Sequence, residues 1–180
     1  MRLTGCVAVL SLALVACNHE KAAVNQPAPA PAAAAAASAP PHDVSKNQKV
    51  SHSLAISSDI VQMCGIKATS SGTSPKFGFD RAELSEDDHA ILQQLATCLR
   101  TGPLQGKGID LIGRADRRGT EEYNLALGSR RARSADDYLQ ALGVSKAQVS
   151  QTTRGALDAT GNDEAGWAND RRVDIMLRRS

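Results

Sequence analysis

Aromatic side chains are scarce: the 180-residue chain contains one Trp, two Tyr and two Phe, 3% of its length. Hydrophobic residues still reach 42%, enough to bury a core. An excess of one charge is also lacking. Twenty-one Lys and Arg stand against nineteen Asp and Glu, and residues 51–180 carry 17 of each sign. That balance excludes a globally basic nucleic-acid binder. Catalytic signatures are missing too, with no His-Glu-x-x-His and no Gly-x-Ser-x-Gly. His19, His42 and His52 fall in or beside a low-complexity stretch, and His89 is expected on the exposed side of a helix. No catalytic constellation, metal site or cofactor is therefore expected, and the chain reads as a non-enzyme. No apolar run reaches the roughly 20 residues of a membrane-crossing helix.

What is present begins with Arg2, followed by the mostly apolar, uncharged stretch Leu3 to Val15. This is about the length of an export-signal core. It ends Leu14-Val15-Ala16-Cys17, which resembles the lipobox of bacterial lipoproteins. The resemblance implies a signal peptide over residues 1–16 and acylation of Cys17. Asn18, in place of the Asp that retains many lipoproteins in the inner membrane, implies an outer-membrane anchor facing the periplasm. Acyl chains bury CH2 groups at about 0.8 kcal/mol each, so two or three of them anchor stably.

Residues 17–57 are expected to form a tether. Pro27, Pro29, Pro31, Pro40 and Pro41 flank the run Ala32 to Ala37, and large apolar side chains are almost absent before residue 50. The folded domain is expected over residues 58–180, with a core at 75–179. Ser58 to Cys64 reads as one or two helical turns stopped by Gly65, and Lys76 to Asp80, alternating Phe77 and Phe79, as a strand. Ser85 and Asp88 form an acidic capping box ahead of Ile91, Leu92, Leu95, Ala96 and Leu99, and Gly102-Pro103 ends that helix. A strand over Gly108 to Gly113, a helical region to Leu142, a strand over Val149 to Arg154 and an alternating strand at Val173, Ile175 and Leu177 follow. The order β-α-β-α-β-β predicts an α/β (α+β) sandwich, with helices on one face of a small mixed sheet.

Of four Cys, Cys6 leaves with the signal and Cys17 carries lipid. Cys64 and Cys98 remain, an even pair in an oxidising compartment, and are expected to be joined; two buried free thiols are the alternative.

The run Gly113-Arg114-Ala115-Asp116-Arg117-Arg118-Gly119-Thr120-Glu121-Glu122-Tyr123-Asn124-Leu125-Ala126-Leu127-Gly128-Ser129-Arg130-Arg131-Ala132 resembles the peptidoglycan-binding motif of the OmpA C-terminal family. Within that family it is most similar to the peptidoglycan-associated lipoproteins, which share Gly-x-Ala-Asp-x-Arg-Gly-Thr and a lipid anchor. Phe77-Gly78-Phe79-Asp80 resembles the family's first strand, and Asp170-Arg171-Arg172-Val173 its closing signature.

The resemblance implies noncovalent binding of the diaminopimelate side chain of the peptidoglycan stem, linking outer membrane to wall. That head group carries an ammonium and a carboxylate. Asp116 would accept from the ammonium and Arg131 would grip the carboxylate as a fork. Asn124, Leu127, Phe79 and Asp80 fall on positions that line the same cleft, as does Arg172, with Arg171 as the alternative. A single straight helix from Glu121 would carry Arg131 about 15 Å away from the loop. A break at Gly128-Ser129 is therefore expected, freeing Arg131 to point at the cleft mouth. Arg114 departs from the family's usual His. Tyr123 and Tyr138 read as core aromatics, and Trp167 as a plug in a late loop. The resemblance also implies a Tol-type envelope partner, which leaves open a second function as a protein-interaction module with little peptidoglycan binding. Flagellar stator components share this domain type but need a transmembrane helix.

Overall fold

The computed structural model describes residues 47–49, 53–67 and 77–179. The expected signal peptide, Cys17 and almost all of the expected tether lie outside the described residues. The elements run β1 (Asn47–Lys49), β2 (Leu54–Ser57), α1 (Ser58–Cys64), α2 (Glu86–Thr101), β3 (Ile109–Arg114), α3 (Glu121–Ala141), β4 (Val149–Gly155), α4 (Glu164–Asp170) and β5 (Val173–Leu177). One mixed sheet has the order β1-β2-β5-β3-β4. β2 runs parallel to β5, β4 parallel to β3, and β3 antiparallel to β5.

Local sequence explains most boundaries. Ser85 and Asp88 exchange both bonds of a capping box at the start of α2, and Gly102 ends it. Alternation along the strands then sends Leu54 and Ile56, Ile109 and Leu111, and Val173 and Ile175 into one aliphatic core. Ile91, Leu92, Leu95 and Leu99 of α2 and Ala132, Ala135 and Leu139 of α3 close that core from the helical side. Cys64 and Cys98 are joined, fastening the end of α1 to the last turns of α2 across 34 positions of sequence.

Three expectations are corrected. The domain does not begin at residue 58: Leu54–Ser57 is a buried strand, and Asn47–Lys49 pairs antiparallel with it. Its four residues are too few for alternation to show in sequence. Phe77 to Asp80 is not a strand but a turn, and Lys76 lies outside the described residues. The late loop holds α4, capped by Asp163, whose side chain accepts from the Gly166 amide at 2.8 Å.

No break interrupts α3 at Gly128-Ser129; the helix runs through. Gly128 is needed for close approach. A Cβ on Gly113 would lie 1.7 Å from the Gly128 carbonyl oxygen, and one on Gly128 would meet Thr153 Oγ1 at 2.4 Å. The mid-helix glycine costs about 1 kcal/mol in propensity and lets α3 lie directly on β3.

The opposite face of the sheet is ionic. Arg114 Nε donates to Asp174 Oδ2 at 2.6 Å, and Arg172 Nε donates to the other oxygen at 2.8 Å. Arg114 also pairs with Asp158, which Arg154 holds through Nε at 2.5 Å and Nη2 at 2.9 Å. At the sheet's far end Arg178 meets Asp110 at 3.1 Å.

Two outcomes are expected. The unreduced protein should show no alkylatable thiol at Cys64 or Cys98 by mass analysis, and replacing both by Ser should lower unfolding free energy by up to about 4 kcal/mol. Hydrogen bonding from Arg154, opposed by burial and reinforced by Arg114, holds the Asp158 carboxyl at about 2, below its ordinary 3.8. A depressed carboxyl pKa stabilises the fold above the unfolded value and loses that contribution as pH falls through the folded one. Urea titrations should therefore show wild type more stable than Asp158→Asn by roughly 1–2 kcal/mol at neutral pH, with the advantage vanishing between about pH 4 and pH 2.

Candidate functional site

Three segments meet at the end of β3. The first is the loop from Ala115 to Thr120. Asp116 Oδ1 accepts from the Arg118 amide at 3.1 Å, closing a tight turn. Gly119 follows at φ 92°, a conformation that favours glycine. Thr120 caps α3 by accepting from the Tyr123 amide, and Asn124 Nδ2 donates back to the Arg118 carbonyl at 3.0 Å. The loop is thus fixed by its own polar groups before any ligand is considered.

The second segment is the turn Phe77 to Arg81. Asp80 adopts φ 56°, accepts from the Tyr123 hydroxyl and lies 3.7 Å from Arg130. The third is α4 with Arg171. Asp170 is buried and accepts from the Thr160 and Gly161 amides at 3.2 and 2.9 Å, which locks the approach to α4.

Arginines tie the segments together. Arg131 is fully buried. Its Nε donates to the Arg81 carbonyl at 2.8 Å, its Nη1 to the Arg114 carbonyl at 2.7 Å, and its Nη2 to the Gly78 carbonyl at 3.2 Å. Arg171 donates from Nε to the Phe77 carbonyl at 2.6 Å, from Nη1 to Asp116 at 3.3 Å and from Nη2 to Glu164 at 2.8 Å. Arg118 binds both oxygens of Asp116, through Nε at 3.0 Å and Nη2 at 2.9 Å. Its guanidinium lies 4.4 Å from the Phe79 ring centre and 4.2 Å from that of Trp167.

The electrostatics follow from this crowding. Burial alone would raise the Asp116 pKa, but hydrogen bonds from Arg118 and Arg171 outweigh it and hold the carboxyl below its ordinary value. Burial, and then the neighbouring Arg171 charge, lower the Arg131 pKa to about 10, with Asp116 opposing. Arg118 and Arg171 pair with Asp116, Arg171 also pairs with the rim carboxylate Glu164, and the buried Arg131 feels the Asp116 charge, so around Asp116 three cations meet two carboxylates. Among the described residues, no group of three or more His, Cys, Asp or Glu side chains could hold a metal ion.

Asp116, Asn124, Phe79 and Asp80 do gather around this cleft or its wall, and Leu127 is buried on α3. Arg131 is there too, yet it is a buried clamp on three carbonyls and does not point at the mouth. Its placement needs no helix break, because α3 folds back along β3 and already touches Gly113 at Gly128. Arg171, not Arg172, reaches Asp116; Arg172 pairs with Asp174 on the sheet's other face. Tyr123 is 39% exposed and not a core residue, while Tyr138 stacks on His89 at 4.3 Å. Arg118 and Trp167 are the site residues that sequence reasoning missed. Arg118 was hidden in a run of arginines, and Trp167 in a segment with no helical periodicity.

Residues 76–172 match the model of the OmpA family. The chain is 41% identical over 101 residues to the peptidoglycan-associated lipoprotein of Pseudomonas putida, covering 55% of this chain and 59% of that protein. It is 40% identical over 101 residues to the one from Pseudomonas aeruginosa, covering 55% and 58%. The chain thus spans somewhat less than two thirds of these relatives. The crystal structure of the peptidoglycan-associated lipoprotein from Burkholderia pseudomallei superposes with a TM-score of 0.54 at 40% identity, over 58% of this chain and 88% of that one. The C-terminal domain of Helicobacter pylori MotB shares the fold at 20% identity, with a TM-score of 0.50 over 61% of this chain and 87% of that one. With the matched family region enclosing the whole Asp116 cleft, this chain belongs to the OmpA family.

Proposed function

We propose that this protein is an outer-membrane lipoprotein, anchored through Cys17 on the periplasmic face, whose domain binds peptidoglycan noncovalently through the diaminopimelate of the stem peptide. It thereby ties the membrane to the wall. The observation that carries this reading is the Asp116 cleft, where one nearly buried carboxylate is paired with Arg118 and Arg171 and feels the charge of the buried Arg131. A head group with one ammonium and one carboxylate matches that alternation of charge. The relatives' names, which join peptidoglycan to a lipoprotein, support the same reading. Arg131 commits three of its five N–H donors to carbonyls, and Arg171 shares the task of receiving the ligand carboxylate. Arg172 has no part in it.

The test is sedimentation of the protein with purified sacculi. Asp116→Asn should weaken binding by roughly 2 kcal/mol or more, because the ammonium loses its counter-charge. Arg131→Ala is the poorer probe. It strands three backbone carbonyls and should lower the melting temperature as well as binding. Sacculi whose stems carry Lys lack the distal carboxylate and should bind poorly. Equal binding to both stem types would remove the head-group assignment, and release of soluble fragments would make the protein a hydrolase. For the anchor, Cys17→Ser should shift the chain from the detergent phase to the aqueous phase; an unchanged partition would exclude the lipobox.

A further inference from the structure

The cation at the centre of the cleft belongs to the chain itself. Arg118 meets both oxygens of Asp116 and lies over the Phe79 and Trp167 rings. A carboxylate and two aromatic faces are the partners that an alkylammonium ligand uses. With Arg118 in place, Asp116 is only 5% exposed; Arg171 Nη1 is its other cation, 3.3 Å away, and the oxygens that Arg118 holds are closed to a ligand ammonium.

The loop does not depend on the Arg118 side chain. Its turn is held by the Arg118 backbone, whose amide donates to Asp116 and whose carbonyl accepts from Asn124. The Arg118 side chain is 31% exposed, with Glu164 3.5 Å away at the rim. Its exit therefore breaks side-chain bonds only. The wall beside it is incompletely satisfied as it stands, because the buried Trp167 Nε1 has no hydrogen-bond partner.

We infer that Arg118 is an intramolecular latch. In the free protein it fills the ammonium position against Asp116, Phe79 and Trp167, and the stem head group binds by displacing it. The inference rests on the head-group reading of the cleft given above. Charge counting supports the exchange. The incoming ammonium replaces the departing guanidinium at Asp116, while the incoming carboxylate offsets the excess charge of Arg131 and Arg171. Ligands without a cation cannot make the exchange. The apparent affinity is then the intrinsic affinity multiplied by the fraction of molecules with the latch open.

Trp167 is the chain's only Trp, so its fluorescence reports directly on the cation stacked against it. The full chain in detergent is titrated with the probe L-alanyl-γ-D-glutamyl-meso-diaminopimelate, alongside Arg118→Gln, Arg118→Lys and Asp116→Asn. Arg118→Gln should bind about tenfold more tightly than wild type, since the closed state is removed. Its ligand-free emission should already resemble that of liganded wild type. Arg118→Lys, which keeps a cation but not the fork, should fall between them, and Asp116→Asn should lose binding. If wild type binds and Arg118→Gln binds equally or more weakly, the latch is refuted while the head-group reading stands. If neither wild type nor Arg118→Gln binds, the head-group reading falls and takes the latch with it.

Discussion

The cleft depends on one guanidinium. Arg131 reaches from α3 to the carbonyls of Gly78, Arg81 and Arg114, so a single side chain fixes the Phe77–Arg81 turn against the end of β3. Its cost is visible in the lowered pKa, about 10, which burial and the nearby Arg171 impose. A buried charge held on neutral carbonyls is poor value as a source of stability, since desolvation opposes most of what the hydrogen bonds supply. What it does supply is position. The carbonyls of Phe77 and Gly78 both accept from arginines, Arg171 and Arg131 respectively, and Phe79 is thereby carried to the Arg118 guanidinium.

Arg114 joins this assembly to the opposite face of the sheet. Its carbonyl accepts from Arg131, its amide donates to the Arg172 carbonyl at 2.9 Å, and its side chain holds Asp174 and Asp158. The residue that departs from the family's usual His is therefore not a free contact at the cleft mouth. It is a strut between two ionic clusters, one lining the cleft and one lying across the strands. The two neighbouring arginines of the closing signature divide in the same way, Arg171 to the cleft and Arg172 to the far face. Strand alternation explains the division, because consecutive residues entering β5 point to opposite sides.

Much of this was legible because it is local. The Ser85–Asp88 cap, the Gly102 stop, the inward stripe of α2 and the alternation of β5 each follow from a few neighbouring residues, and the structure contains all of them. What failed was what depends on distant packing. Gly128 read as a helix break because propensity alone cannot see that Gly113 lies against it. Leu54–Ser57 read as tether because four residues buried on both faces show no alternation. Phe77 and Phe79 alternate like a strand, yet carbonyl-to-arginine bonds hold their backbone as a turn. The choice between Arg171 and Arg172 could not be made from sequence, since it turns on where β5 begins.

The shortage of aromatic residues acquires a meaning once these contacts are known. The core is aliphatic, built of Leu, Ile, Val and Ala, and Phe77 is its one fully buried ring. That ring also lies 5.1 Å from the Arg131 guanidinium. Phe79 and Trp167 lie against Arg118, and Tyr123 donates to Asp80. Of five aromatic rings, only Tyr138 sits away from the cleft. A chain that needed rings for packing would place them between α2, α3 and the sheet, where none of the four lies except Phe77. Here Phe77, Phe79 and Trp167 serve as faces for cations, each such contact adding on the order of 0.5–2 kcal/mol depending on how dry it is. Phe79 remains 61% exposed, an arrangement that hydrophobic burial alone would not favour and that a cation stacked on its face accounts for.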